Sequence, residues 1–264
     1  MPRVIYEPRG RAREYSALAC NLYRGCGHGC LYCYAPGVQF TSREKWTTDV
    51  APRKGVIDQI RVDAAGLRGD PRAVLLCFLC DPYQPLDDQQ RLTRDALHVL
   101  GENKIRVQVL TKGGTRAARD FDLFSRFGFI FGSTILFRDD RLREKWEPFA
   151  APIENRFEAV RAAHGRGIST WVSLEPVIHP NEALKVIKGL HEHVDFWKVG
   201  KLNHMPDVEK LIDWGSFYSE VTDLLQSIGA QYYIKNDLTK YSPTGRNTRP
   251  RVSAREKVLR TFCP

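Results

Sequence analysis

The 264-residue chain has no apolar run approaching the roughly 18 consecutive residues of a membrane span. Its start is rich in arginine but lacks an apolar h-region, so neither an anchor nor a secretory signal is expected and the protein is placed in the cytoplasm. Low-complexity segments, repeats of solenoid length and long linkers are absent. Thr111-Lys112-Gly113-Gly114-Thr115 lacks the spacing of a phosphate-binding P-loop. His179, His191, His193 and His204 form no pair with metal-ligand spacing and are expected at the surface. The seven cysteines are odd in number and unevenly clustered, which argues for ligands and free thiols rather than a disulfide framework.

What is present fits one large α/β domain, with 42% hydrophobic residues to build its core. The net charge of +9 gathers at the ends: Arg3, Arg9, Arg11 and Arg13 at the start, then Lys235, Lys240, Arg246, Arg249, Arg251, Arg255, Lys257 and Arg260. Basic ends suggest a polyanionic partner, nucleic acid being the commonest, although a solubilising surface accounts for the same charge. Short apolar runs at residues 17–23, 73–79, 105–110, 129–136, 168–174 and 194–199 read as strands, and 232–235 as a further candidate. Helical spacing fills the intervals at 91–100, 116–127, 155–164, 181–191, 206–214 and 217–228. Such alternation predicts a parallel sheet with right-handed crossovers, and six principal strands, short of the eight of a complete barrel, predict an open, partial β/α barrel. The expected divisions are a basic arm at 1–16, the barrel at 17–200 and a helical, basic C-terminal extension at 201–264. Ligands of such barrels collect at the C-terminal ends of the strands.

Cys26, Cys30 and Cys33 stand in a C-x3-C-x2-C run immediately after the first expected strand. Three thiolates this close can converge on one metal centre. A [4Fe-4S] cluster usually takes four cysteines, so three leave one iron open. A structural zinc site of Cys3His type, with His28 as fourth ligand, is the alternative.

The triplet is the signature of the radical S-adenosylmethionine (SAM) superfamily, which this chain resembles. The resemblance implies a [4Fe-4S] cluster on Cys26, Cys30 and Cys33, SAM bound to the open iron, reductive cleavage to a 5′-deoxyadenosyl radical, and hydrogen abstraction from a substrate. It also implies a six-stranded partial barrel and the packing of Tyr32 by the adenine. Within the superfamily the chain resembles the spore photoproduct lyase-like proteins over roughly residues 10–200, through Asn21, Tyr23 to Gly25, His28, Tyr32 to Ala35, Asp81 to Pro85, Thr93-Arg94, Thr111-Lys112 and Arg119-Asp120. Two departures stand out: Leu22 replaces the usual Pro, and Cys80 the usual Thr before Asp-Pro-Tyr-Gln-Pro. The hydrogen-donating cysteine of the photoproduct lyases would fall at Phe78, whereas Cys80 falls two positions on.

The candidate site follows from strand ends. Lys112 offers a cation for the SAM carboxylate, while Ser133, Ser173 and Lys198 could bind the cofactor. Glu175, stiffened by Pro176, and Cys80, a hydrogen donor or a small buried hydrophobe, are the candidate catalytic residues facing the substrate. Period-two alternation turns Cys77 to the opposite face, into the core. No second cysteine cluster is present for an auxiliary iron–sulfur centre. The expected function is a radical SAM enzyme acting on a nucleobase in DNA, fed by an external electron donor. The alternatives are an amino acid, peptide or small-molecule substrate, or a non-catalytic metal-bearing nucleic-acid-binding protein.

Overall fold

The computed structural model describes residues 3–243. The basic stretch from Arg246 to Arg260 and Cys263 lie outside the described residues. Seven parallel strands run in chain order: β1 (Leu18–Cys20), β2 (Val74–Leu76), β3 (Val107–Val109), β4 (Phe131–Thr134), β5 (Thr170–Val177), β6 (Phe196–Lys201) and β7 (Tyr232–Ile234). Neighbours pair in parallel register, from Leu18 opposite Val74 through to Ile234 opposite Val199. The β3–β4 step is made only by single bridges between Gln108 and Ile130 and between Thr111 and Ser133. The sheet is therefore an open β/α barrel, as expected, with the candidate strand at 232–235 realised as a seventh.

The main helices that return the chain between strands are α1 (Val56–Gly66), α2 (Leu92–Glu102), α3 (Phe121–Phe127), α4 (Asp140–Trp146), α5 (Ile153–Gly165), α6 (Pro180–Leu190) and α7 (Trp214–Ser227). Helix α4 has no counterpart in the sequence expectation, and only one turn of the helix expected at 206–214 forms, at Pro206–Glu209. The run expected to stay extended to residue 79 stops at Leu76. Beyond it the Asn21 side chain takes the place of the ladder, accepting from the Phe78 and Leu79 amides at 2.9 and 2.8 Å. No helix among the described residues is long and apolar enough to cross a membrane.

Alternation along the strands sorts two cores. Leu18, Val74, Leu76, Val107, Val109, Phe131, Val172 and Val199 pack outward under the helices. Ala19, Leu75, Ile130, Trp171 and Phe196 point inward. Gly132 has to be bare, because a Cβ there would sit 2.1 Å from the indole nitrogen of Trp171, which reaches across to the Val109 carbonyl at 3.1 Å.

The segment expected as a basic N-terminal arm packs against the barrel. Ile5–Tyr6 adds an antiparallel edge strand to β1. The following residues lie along the opposite edge, where Glu14 accepts from the Tyr233 hydroxyl and the Asn236 amide, both at 2.9 Å, and Arg11 meets Asp237 at 3.4 Å. The arm thus spans the side that the sheet leaves open.

Candidate active site

The cysteine loop is fastened from several directions. Cys26 N–H donates to the Trp46 carbonyl at 3.0 Å, Leu31 N–H to the Trp146 carbonyl at 2.9 Å, and Gly27 N–H to Gln84 Oε1 at 2.8 Å. The Arg43 guanidinium reaches the Cys30 and Cys33 carbonyls at 2.6 and 3.2 Å. All three cysteines are free thiols. Burial pushes their thiols up, Cys30 to about 12, and neighbouring thiols of the triplet add to the rise at Cys26 and Cys30. Such a set invites a cation, because a coordinating thiol loses its proton outright. Beside the loop, Gln84 Nε2 is a buried donor without a protein partner. Free thiols, crowding and an unused donor together suit a thiolate-held cluster. Among the described residues no three His, Cys, Asp or Glu side chains are gathered closely enough to hold a metal ion.

His28 is not a fourth ligand, which overturns the Cys3His alternative. The ring is buried, with Nε2 at 3.2 Å from Asp81 and Nδ1 at 3.3 Å from the Phe149 carbonyl. Asp81 is the hub of this side, accepting from Thr111 Oγ1 and the Lys112 amide at 2.6 Å each and from the Tyr83 amide at 2.8 Å. Burial alone would raise its carboxyl, but His28, Thr111 and the Lys112 amide outweigh that and hold it at about 2. One side chain therefore ties the cysteine loop to the ends of β2 and β3. Behind it, Tyr83 and Arg94 converge on Asp120 at 3.1 and 3.0 Å, and Arg119 pairs with Asp87. The Thr-Arg and Arg-Asp motifs thus brace the turn from outside.

Tyr32 donates its hydroxyl to Glu147, which pairs with Arg156 at 2.6 Å, both charged groups being fully buried. Arg156 is further held by the Ala151 and Thr134 carbonyls at 2.8 and 3.1 Å. Lys112 Nζ stands 5.7 Å from the Tyr32 ring centroid. Burial would lower its pKa, but Cys30 and Glu147 reverse that and raise it. The expected Tyr32 and Lys112 are thus brought together beside Cys30. Glu147 and Arg156 come from the end of α4 and from α5, and no periodicity in the sequence marks them.

Across the barrel lies a second polar centre. Ser173 and Glu175 share the inward face of β5 with Trp171. The Tyr15 hydroxyl lies 2.9 Å from Ser173 Oγ and donates to Glu175 Oε2, whose other oxygen meets Lys235 Nζ at 2.9 Å. Burial raises the Glu175 carboxyl, and Lys235 and Tyr15 moderate the rise. Gly200 on β6 makes room, since a Cβ there would fall 2.7 Å from the Glu175 carboxyl carbon. Lys198, also inward, donates to the Glu14 and Tyr15 carbonyls at 3.0 and 2.9 Å and lies 5.0 Å from the Tyr15 ring centroid. It grips the arm.

Ser133 is not brought to either group. It shares the outward parity of Phe131, and its hydroxyl donates to the Thr111 carbonyl at 3.3 Å across the β3–β4 join. Cys80 is buried in the outer core in one cluster with Cys20 and Cys77, so Cys77 and Cys80 do not face apart as alternation predicted. The strand ends before either residue, and alternation has no hold there. Sequence reasoning missed Tyr15 and the inward role of Lys235. For Lys235 the signal was its parity with Tyr233 on the short β7.

The sequence matches the radical SAM superfamily over residues 20–194, and the chain belongs to that superfamily. Membership assigns it a [4Fe-4S] cluster and S-adenosylmethionine as cofactors. An uncharacterised protein of Methanocaldococcus jannaschii is 29% identical over 160 residues, covering 60% of this chain and 59% of that one. An uncharacterised protein of Mycobacterium tuberculosis is 24% identical over 166 residues, covering 60% and 48%. The chain therefore spans only about half to three-fifths of the length of these curated relatives. Among solved structures, a spore photoproduct lyase variant with bound AdoMet and dinucleoside spore photoproduct superposes with a TM-score of 0.66 at 16% identity, covering 88% of this chain and 78% of that one. Streptococcus suis SuiB bound to S-adenosylmethionine gives 0.63 at 12% identity, covering 86% and 52%. At such identities the likeness shows the fold.

Proposed function

We propose that the protein abstracts hydrogen from a nucleobase in a nucleic acid, with the cluster held by Cys26, Cys30 and Cys33. The observation that carries this reading is the inward centre of Glu175, Tyr15, Ser173 and Lys235, which alternates hydrogen-bond donors and acceptors inside an apolar barrel. A heterocycle with both kinds of edge suits it, as does recognition of an extruded base by its polar edge and face. The net charge of +9 favours a polyanion. The photoproduct lyase structure with a dinucleoside in place shares the fold over 78% of its length, which supports the same reading.

When bound, the cluster and SAM supply a carbon radical able to take a hydrogen atom. The chain's own residues do the rest. Tyr32 and Lys112 seat SAM beside Cys30, with Glu147 fixing the Tyr32 hydroxyl. Ser173 belongs to the wall of the same chamber, and Lys198 acts through its hold on Glu14 and Tyr15. Glu175 accepts a hydrogen bond or proton from the substrate, with Lys235 balancing its charge. Cys80, buried in the outer core with Cys20 and Cys77, stands outside this chamber.

The test is 5′-deoxyadenosine formation by anaerobically reconstituted protein, with dithionite as reductant and with a single-stranded DNA, an RNA or a peptide mixture added. Stimulation by nucleic acid, lost in Glu175→Gln, is the expected result. Stimulation by peptides alone would overturn the nucleobase assignment and leave the radical chemistry standing.

A further inference from the structure

Gln84 is fully buried, in a turn stiffened by Pro82 and Pro85. One end of its side chain is in use: Oε1 accepts from the Gly27 amide, the residue directly after Cys26, at 2.8 Å. An N–H can be met only by an acceptor, so this bond settles which end of the carboxamide is oxygen. Nitrogen and oxygen share one carbon, and Nε2 is therefore held beside the same turn of the cysteine loop. It carries two N–H donors and has no partner among the described residues.

Gln84 is not alone in this. Among the described residues, four uncharged Gln and Trp side chains keep a buried N–H without a partner: Trp46, Gln84, Trp146 and Trp197. Three of the four fasten the cysteine loop. Trp46 and Trp146 do so through their carbonyls, which accept from Cys26 and Leu31, and Gln84 does so through Oε1. A buried donor left unpaired costs folding free energy, whereas an apolar side chain of the same shape can be neutral there. The unused donors thus gather around the one loop that carries three thiols.

We propose that Gln84 donates an N–H to a sulfur of the cluster and so raises its reduction potential, resting on the placement of that cluster on Cys26, Cys30 and Cys33. Hydrogen bonds to the sulfurs are among the controls on the potential of an iron–sulfur centre. Gaining an electron makes those sulfurs better acceptors. A donor fixed in advance therefore favours the reduced form, as any hydrogen bond to the more charged state does. Gln84 suits the task because it is neutral and does not titrate, so its effect holds across pH. Its two ends divide the work: Oε1 holds the loop backbone, and Nε2 eases reduction.

The test separates these two tasks in anaerobically reconstituted protein without SAM. Gln84→Glu keeps an oxygen for the Gly27 amide and loses the N–H donor, whereas Gln84→Leu loses both. In Gln84→Leu, reduction should be ~10-fold less favourable than in the wild type, a midpoint lowered by about 59 mV in an EPR-monitored titration. Gln84→Glu should fall at least as far, since its added charge acts in the same direction. With nitrogen-15 in the glutamine side chains, pulsed EPR of the reduced wild type should show a nitrogen coupling that Gln84→Leu lacks. A fully loaded Gln84→Leu protein with the wild-type midpoint would overturn the proposal. So would a reduced wild type without that coupling, a result that needs no variant to fold or load. A wild type that takes up no iron would instead overturn the cluster placement, and the role of Gln84 with it.

Discussion

The two polar regions of the barrel are built by opposite means. On the cysteine side three charged groups have partners close by: Asp81 with His28, Glu147 with Arg156, and Arg43 on the loop carbonyls. Much of that side is carried by contiguous motifs, Tyr23 to Ala35 and Asp81 to Pro85. On the far side the centre draws single residues from positions 15, 173, 175, 198 and 235, and its carboxyl sits above its ordinary range. The first region is fixed by local chain geometry and dense pairing. The second exists only once the first and last parts of the chain have met. A buried, raised carboxyl beside a buried amine is the pattern of a group poised for proton or hydrogen-bond work, whereas saturated pairs such as Glu147 and Arg156 hold shape.

The comparison can be broken most severely at Glu147. Glu147→Gln leaves the Arg156 cation buried without its counter-charge, which should cost about 3–5 kcal/mol of unfolding free energy in urea titrations. Asp81→Asn should cost less, about 2 kcal/mol, with a distinctive pH dependence. Because the folded carboxyl lies at about 2, below its ordinary 3.8, its contribution is in full above that ordinary value and is lost as pH falls toward about 2. The wild type should lose stability across that window, and the Asn variant should lose less. On the far side Tyr15→Phe should leave the fold within about 1.5 kcal/mol of wild type, the usual worth of one hydrogen bond. Yet it should lower substrate-stimulated 5′-deoxyadenosine formation ~10-fold, a rise of about 1.4 kcal/mol in the barrier. An equally large loss of basal, substrate-free SAM cleavage would place Tyr15 with the cofactor instead. Ser133→Ala should be the mildest, within about 1 kcal/mol in stability and unchanged in SAM affinity by equilibrium dialysis, since only its bond to the Thr111 carbonyl is lost.

These contrasts account for what could be read from the sequence. Strand positions were legible because a buried parallel strand is a short apolar run: four of the six expected runs contain one and the other two overlap one that runs on past them. The cysteine triplet was legible because its spacing confines three thiols to one short loop. Strand ends were less so. The ladder of β2 gives way to the Asn21 side chain, a tertiary substitution that no local pattern announces, and with it went the facing of Cys77 and Cys80. Ser133 and Ser173 occupy similar places near strand ends, but parity with Phe131 turns one outward, and parity with Trp171 turns the other inward. Tyr15 was illegible because the arm looked like a solvated basic tail. Only the gap between β7 and the edge strand shows what it fills.

The seam also sets an order of events. Glu14 bonds to Tyr233 and Asn236 across 219 and 222 residues of chain, and Arg11 to Asp237 across 226. Contacts of such long separation form late, because loop closure comes before their reward. The segment around Arg11 and Glu14 must therefore wait, unseated, until β7 has been made. Until then the chamber has an open side and Glu175 has no Tyr15. Closure of the chamber therefore waits on the synthesis of β7, and a nascent chain halted before β7 would hold its cysteine loop without a sealed chamber behind it.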